Sequence, residues 1–220
     1  VDNYWIILPI FGLEMKKILF ILAVVVCCMG QSLCAQGMRQ LFVDAPDEVF
    51  PLLTRNNRAD CADFLEAGME AKVTNRLGGV CRMKALTGDF LHIEPSYASS
   101  VQVKRLVAGN DTLLCVVNSV KAEATDSRIS FRNQRWENVE AKGLFEAPAI
   151  GDFFVSADSA MLYADKCDIY LVSLTLSPDD DTLTAEYTMP GYMGEDDAMA
   201  VRPLLRRIVY RWDGKRFVKE

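Results

Sequence analysis

The sequence contains a single histidine, His92, and lacks the short motifs that mark common catalytic or cofactor sites. One histidine excludes a multi-histidine zinc site within one chain. The absence of a Cys-x-x-Cys pair argues against zinc ribbons and thioredoxin-type redox chemistry. No Walker or dinucleotide-binding glycine pattern is present, and Gly78-Gly79 is typical of a turn between strands. We therefore predict no catalytic residue, no cofactor and no metal ligand, and we interpret His92 as a half-exposed strand residue.

A basic excess is also missing. The chain has 30 Asp and Glu against 24 Lys and Arg, a net charge of −6. Nucleic acids and anionic lipid surfaces require a basic face, so we expect neither as a partner. The acidic clusters 179–181 and 195–197 lack the ligand spacing of a calcium loop and lie where turns and helix starts favour acids. The C-terminal end is locally basic, which indicates either a solvated, edge-protecting surface or a docking patch for an acidic partner or a glycan. Its basic residues are Arg202, Arg206, Arg207, Arg211, Lys215, Arg216 and Lys219.

No apolar run reaches the roughly 20 residues that a membrane-spanning helix requires. The longest candidate, 18–28, follows Met15 and two lysines and precedes Ala35, a small residue suited to cleavage. These three parts predict a signal peptide at residues 15–35 and a periplasmic or secreted protein without a stable membrane span. A lipoprotein is disfavoured because Leu33 precedes Cys34. Residues 1–14 indicate an overextended gene start; the alternative is a longer basic region with a second apolar patch.

The remaining residues, 36–220, suit a single α+β domain that buries about 70% of its unfolded-state surface. Two sub-domains dividing near residues 133–167 are the alternative, because that stretch is the hardest to interpret. Four cysteines remain after the leader, which permits two disulfides in three pairings or four small buried hydrophobic side chains. We favour the second interpretation. These cysteines are Cys61, Cys81, Cys115 and Cys167.

Helical and strand periodicities predict the secondary-structure elements of this domain. A short helix is expected at 46–53, and a second, capped by Asn56 or Asn57, at 58–67, with Cys61, Phe64 and Leu65 on one face. Further short helices are expected at 158–165 and 194–201. Strands are expected at 72–77, 81–86, 90–94, 101–107, 112–120, 128–132, 168–176, 183–187, 208–212 and 216–218.

The short spacing between these strands predicts antiparallel pairing. Asp213-Gly214 is the strongest hairpin signal, of a turn type with positive φ at both central residues. We expect an N-terminal helical hairpin packed on one or two mostly antiparallel β-sheets. Tyr210 and Trp212 are expected to fill the core.

Five segments of the chain carry a resemblance to known proteins: MRQLFVDAPDEVFPLLTRNNRADCADFLEAGM, EAKVTNRLGG, DSRISF, LSPDDDTLTAEYTMPGYM and VYRWDGKRFVKE. They resemble a family of secreted Bacteroidales proteins classed only as a domain of unknown function. The resemblance implies export from a Gram-negative gut or oral bacterium and supplies no functional residues.

The leading hypothesis is an exported, non-catalytic binding or interaction module of the cell envelope, with a protein or glycan partner. One alternative is a hydrolase with a carboxylate-based site, which predicts a cleft holding two acids, one of them with a raised pKa. The other is a structural or assembly protein of the envelope, which predicts an exposed apolar patch or an unpaired sheet edge.

Overall fold

Alternating apolar and polar residues over the first half of the domain form seven strands in one antiparallel sheet, in sequence order from edge to edge. The structure is a computed structural model that describes residues 37–220. The predicted upstream extension and leader lie outside the described residues. The strands are β1 (Lys72–Thr74), β2 (Val80–Leu86), β3 (Phe90–Ser96), β4 (Ser99–Ala108), β5 (Asp111–Lys121), β6 (Thr125–Arg132) and β7 (Asn138–Val139).

A second antiparallel sheet of four strands follows later in the chain, in the order β11-β10-β9-β8. Its strands are β8 (Val172–Leu176), β9 (Thr182–Tyr187), β10 (Ile208–Trp212) and β11 (Phe217–Lys219). Both sheets pair only neighbouring strands in the antiparallel sense, which confirms the predicted pairing. Strand β8 is shorter than expected, because residues 168–170 form no ladder with β9.

The Asp-Gly hairpin is present, but its turn type was predicted wrongly. Asp213 N–H donates to the Arg216 carbonyl, so Gly214 and Lys215 are the central residues. Gly214 has a φ of 91°, and among the described non-glycine residues only Trp136 has a positive φ. Glycine at the first central position gives a turn that needs positive φ only there.

Two N-terminal helices form the expected hairpin, α1 (Met38–Val43) and α2 (Arg55–Glu66), but α1 lies upstream of the first helix that the sequence predicts. The helix predicted at 46–53 is wrong, since this stretch forms isolated turns such as Leu53 N–H to the Phe50 carbonyl. Pro51 lacks the N–H that an interior helical position donates, and it ends any helix running through it. The apolar residues of the stretch are buried as turns, with Phe50 and Leu53 in the core.

The cap of α2 also differs from the prediction. Thr54 is the capping residue, because its hydroxyl accepts from Asn57 N–H at 3.1 Å. The Asn57 side chain accepts in return from Thr54 N–H, also at 3.1 Å. This reciprocal pair is a capping box, which places Asn57 inside the first turn instead of at the cap.

The seven-stranded sheet is covered on both faces, and this produces two cores. Helices α1 and α2 pack on one face, against residues such as Leu91, Val103 and Val116. The second sheet packs on the other face, against Leu106, Cys115 and Val117. Neighbouring strand residues point to opposite faces, so one strand feeds both cores. The domain therefore has three layers: helices, seven-stranded sheet and four-stranded sheet.

The β7–β8 connection contains α3 (Ala157–Leu162) and a 3-10 turn at Ile150–Phe153. The β9–β10 connection contains α4 (Glu195–Val201) and 3-10 turns at Met189–Gly191 and Arg202–Leu204. Gly191 packs so closely on the β5–β6 turn that an added Cβ would lie 2.1 Å from the Glu123 carbonyl oxygen. All four described cysteines are free and buried, which confirms the hydrophobic interpretation. None of the helices in residues 37–220 has the length and apolar character to cross a membrane.

Candidate functional site

A concave surface lies at the free edge of the second sheet. It is a groove of about 580 Å³ between residues 142–148 and strand β11, called here the edge groove. The chain enters it from β7 and leaves through Pro148 toward the 3-10 turn at Ile150–Phe153. The wall is tied to the sheet by one backbone hydrogen bond, from Phe217 N–H to the Leu144 carbonyl at 2.8 Å. Beyond that bond the two segments separate, and the separation opens the groove.

The backbone of β11 faces this opening. In an antiparallel ladder, alternate residues direct their N–H and C=O groups away from the paired strand. Asp213 N–H donates to Arg216 and Glu220 N–H donates to Val209, so the residues between them that turn outward are Phe217 and Lys219. Phe217 N–H donates to the Leu144 carbonyl. The Phe217 carbonyl and the Lys219 N–H and carbonyl have no partner among the described residues.

Aromatic side chains form the floor of the edge groove. Phe145 meets Tyr210 edge-on at a centroid distance of 5.2 Å, and it also meets Phe217 edge-on at 6.4 Å. Tyr210 is only 4% exposed, as expected for a core residue. Burial, with a smaller contribution from the charge of Asp152, raises the pKa of Tyr210 to about 12. The floor is therefore aromatic, and Tyr210 is neutral at physiological pH.

Charged side chains line the rim of the edge groove. Its cations are Lys142, Arg216 and Lys219, and its acids are Glu146 and Asp152. Lys219 is paired with Asp152 at 3.5 Å. Asp152 also accepts from Ala149 N–H at 3.2 Å, so its carboxylate holds the groove wall. Lys142, Arg216 and Glu146 form no ion pair with any residue in 37–220, which leaves the rim with a small excess of positive charge.

A second groove, of about 490 Å³, lies beside the end of β9 and is called here the arginine groove. It is lined by Arg202, Arg206 and Arg207 together with Glu186. Arg207 pairs with Glu186, and Arg206 donates through Nε to the Asp152 backbone carbonyl at 2.9 Å. The basic C-terminal residues are therefore divided between two grooves. Arg211 and Lys215 line neither groove, and Arg211 pairs with Glu220 at 2.5 Å.

His92 lies in neither groove. Its Nε2 is 3.0 Å from the hydroxyl of Ser100 on the neighbouring strand, the spacing of a nucleophile and its base. Ser100 is only 4% exposed, so a substrate carbonyl has no path to its oxygen. Burial is the main effect that lowers the pKa of His92, with Glu94 opposing it. The pair is a part-buried contact between β3 and β4, and His92 is of intermediate exposure, as the sequence predicts.

Acidic side chains of both clusters contact other side chains of the protein. Asp180 accepts from the Thr182 hydroxyl at 2.6 Å, and Asp197 pairs with Lys166 at 2.5 Å. No grouping of three metal-ligating side chains occurs among residues 37–220. The Gly78-Gly79 step lies in the β1–β2 turn, where Asn75 accepts from the Gly79 N–H at 2.9 Å.

The carboxyl groups whose pKa is shifted do not match a glycosidase acid. Every described carboxyl whose pKa departs from its ordinary value has it lowered by hydrogen bonds and nearby cations, whereas the hydrolase hypothesis requires a raised one. These residues are Asp44, Asp47, Glu70, Asp89, Glu94, Asp180 and Asp213.

Sequence reasoning did not identify the groove wall. Residues 142–148 lie in the stretch that periodicity could not resolve, and the wall is defined by its position beside β11, about 70 residues later in the chain. The only sequence signal is Phe145, an aromatic residue between Gly143 and Pro148 in a segment with neither helical nor strand periodicity. Isolated aromatic residues in such segments often anchor a loop to a core.

A family described as "Protein of unknown function (DUF3256)" matches residues 30–217. The chain belongs to this family. A solved structure titled "Structure of a domain of an uncharacterized protein from Porphyromonas gingivalis W83" is similar to this DUF3256 chain, with a TM-score of 0.71 and 24% identity. The similarity covers 83% of this chain and 96% of that chain, and at this identity it shows the shared fold. The source organism is a member of the Bacteroidales, in agreement with the resemblance noted in the sequence. A search among curated proteins gave no match.

Proposed function

We propose that this DUF3256 protein is an exported, non-catalytic binding module of the cell envelope, and that it binds its partner in the edge groove. The observation that carries the proposal is the groove itself: an apolar aromatic floor, two unpaired cations and open backbone groups meet in about 580 Å³. Binding sites commonly combine an apolar floor with a few convergent polar groups. The groove contains no nucleophile with a base, and its Asp152 is engaged by its own wall.

Export is the second part of the proposal. The lysine pair, the short apolar run and Ala35 support removal of residues 15–35 during translocation. N-terminal sequencing of the protein isolated from its host checks this. We expect the chain to begin at or within two residues of Gln36 in the periplasmic or culture fraction. A cytosolic pool that retains Met15 contradicts export.

Binding in the edge groove can be tested with charge-reversal variants. Lys142→Glu and Arg216→Glu change exposed, unpaired residues on the rim, so the fold is expected to persist. The matched control is Arg202→Glu in the arginine groove. Immobilised wild-type and variant proteins are incubated with an envelope extract, and the bound material is identified by mass spectrometry and glycan analysis. We expect one partner to be captured by wild type and by Arg202→Glu and lost from the edge-groove variants.

Two results contradict the proposal. Capture that is equal for all variants places binding elsewhere. Release of cleaved peptide or sugar from the captured partner, abolished by Glu146→Gln, supports the hydrolase alternative instead. The structural alternative has an observation of its own, since Met161 on α3 is 77% exposed and Leu162 beside it is similarly exposed. A partner lost from Met161→Ser, with the groove variants unaffected, favours that alternative.

A further inference from the structure

The two edges of the four-stranded sheet differ in whether their outward backbone groups have hydrogen-bond partners, and the difference points to a ligand. At the β8 edge, the Leu174 and Leu176 N–H groups donate to Ser127 Oγ at 3.0 Å and Gln102 Oε1 at 2.8 Å. Both acceptors belong to the seven-stranded sheet, which also covers this edge. The β8 edge is thereby closed to further strand pairing.

The β11 edge has no such closure. The Phe217 carbonyl and both backbone groups of Lys219 point into the edge groove without a partner among the described residues. Unpaired edge groups are templates for another strand, and proteins usually block them with a bulge, a covering loop or an inward-pointing charge. Here the covering loop, 142–148, makes one hydrogen bond and then moves away, leaving a gap beside the strand.

We infer that the edge groove binds an extended polypeptide segment as an additional antiparallel or parallel strand on β11. This inference rests on the proposed function and names its partner as a peptide. Backbone hydrogen bonds to Phe217 and Lys219 provide affinity, and side chains on alternate residues of the peptide reach the floor formed by Phe145 and Tyr210.

The charges of the groove define the peptide further. Lys142, Arg216 and Glu146 are unpaired, whereas Lys219 and Asp152 neutralise each other, so the rim keeps a small excess of positive charge. A peptide with an apolar residue toward the floor and carboxylates beside it complements this rim. A proline at a position facing β11 is excluded, since it cannot donate to the Lys219 carbonyl.

The test uses a matched pair of variants at one position. Lys219→Ala removes the side chain and its ion pair with Asp152, and Lys219→Pro removes in addition the one N–H that faces the groove. Proline is tolerated on edge strands whose N–H points outward, so the fold is expected to survive. The probe is an octapeptide selected on wild type from a random displayed library, with counter-selection on Lys219→Pro. Affinities are measured by calorimetry, and the contacted amides are mapped by NMR.

We expect the selected peptides to be proline-free and acidic. The affinity for Lys219→Pro is expected to fall by about tenfold, the effect of one lost hydrogen bond in a desolvated interface, and the affinity for Lys219→Ala by much less. The Lys219 amide is expected to show the largest shift and slower hydrogen exchange. A peptide methylated on alternate backbone nitrogens lacks the N–H groups that would donate to β11. We expect it not to bind the wild-type protein.

The outcomes separate this inference from the proposed function. Equal affinities for the Pro and Ala variants, undiminished binding of the methylated peptide, or no enrichment over Lys219→Pro each overturn strand addition. If an envelope oligosaccharide instead binds wild type and loses affinity in Arg216→Glu but not in Lys219→Pro, the groove remains a binding site and the peptide inference fails. If neither peptide nor oligosaccharide binds and no partner is captured, both are overturned.

Discussion

Arg58 is the most deeply enclosed charged side chain of the N-terminal hairpin, at 2% exposure. Its guanidinium donates to three backbone carbonyls, those of Val43 at 3.2 Å, Leu53 at 2.8 Å and Ala45 at 2.6 Å. Val43 ends α1, and residues 44–54 form no regular structure, so these carbonyls have no helical or sheet partner. Arg58 thus supplies the donors that the connection between the two helices lacks.

We predict that Arg58→Met lowers the free energy of unfolding by about 3 kcal/mol, because it leaves buried carbonyls without donors. The control is Arg55→Met, which removes an exposed residue whose ion pair with Asp44 lies at the surface. That change should cost less than about 1 kcal/mol. Urea denaturation followed by circular dichroism measures both, and equal losses would show that Arg58 acts only as a surface cation.

His92 gives a second prediction at the residue scale, because it is the only histidine of the chain. Burial lowers its pKa in the folded state, while the unfolded value is about 6.5. A lowered folded pKa stabilises the protein above the unfolded value, and this contribution is lost as the pH falls below it. Carboxyl groups add their own loss only nearer their ordinary values, about pH 4.

We therefore expect wild-type stability to decrease from about pH 7 to pH 5.5 and the decrease to vanish in His92→Gln. Glutamine keeps a polar group near Ser100 without titrating. Unfolding free energies across this range check the prediction. A slope that persists in His92→Gln would assign the titration to another group.

At the scale of elements, strand β8 is held by side chains instead of a ladder on its outer edge. Ser127 and Gln102 accept from two of its backbone N–H groups, and Thr188 donates its hydroxyl to the Thr125 carbonyl at 2.6 Å just after β9. These bonds join the two sheets across the sandwich. They are polar contacts between otherwise apolar layers, so they specify where β8 lies along the larger sheet.

Ser127→Ala and Gln102→Ala should each cost about 1 to 3 kcal/mol, since each leaves a part-buried N–H unsatisfied. Hydrogen exchange of the Leu174 and Leu176 amides should accelerate in the corresponding variant. Ser130→Ala is the control, because Ser130 pairs with Val116 and faces the helices. Acceleration of the same amides in the control would mean that β6 loosens as a whole.

At the scale of the whole molecule, two cores share one sheet. Trp136 lies in the helix-side core and donates through Nε1 to the Leu41 carbonyl at 3.0 Å. Trp212 lies in the core between the sheets and donates to the Val107 carbonyl at 2.7 Å. Because β4 and β5 contribute side chains to both cores, neither core can be lost without exposing the back of the other.

This arrangement predicts a single cooperative unfolding transition instead of two sub-domains that divide near residues 133–167. Trp212→Phe leaves Trp136 to report the helix-side core, and Trp136→Phe leaves Trp212 to report the other; Trp5 is common to both. In each variant, the unfolding midpoint from tryptophan fluorescence should coincide with the midpoint that circular dichroism gives for the same protein. Separate midpoints would establish two sub-domains.

Most strands could be predicted because their information is local. The alternation in β3 to β5 and the glycine-containing turns between them depend on residues adjacent in the sequence, and the short connections then predict the meander. The helix expected at 46–53 does not form. Its apolar residues fit a helical period, but Pro51 and the donors of Arg58 stabilise turns instead.

The sequence by itself determined the antiparallel strands, the second helix of the N-terminal hairpin and the lack of catalytic motifs, since each depends on residues close together in the chain. Only the tertiary structure decided which face of the large sheet receives the helices, and only it placed residues 142–148 beside β11. Such contacts join residues far apart in sequence through packing and backbone hydrogen bonds, which leave no periodic trace in either segment. The edge groove is a product of that long-range contact.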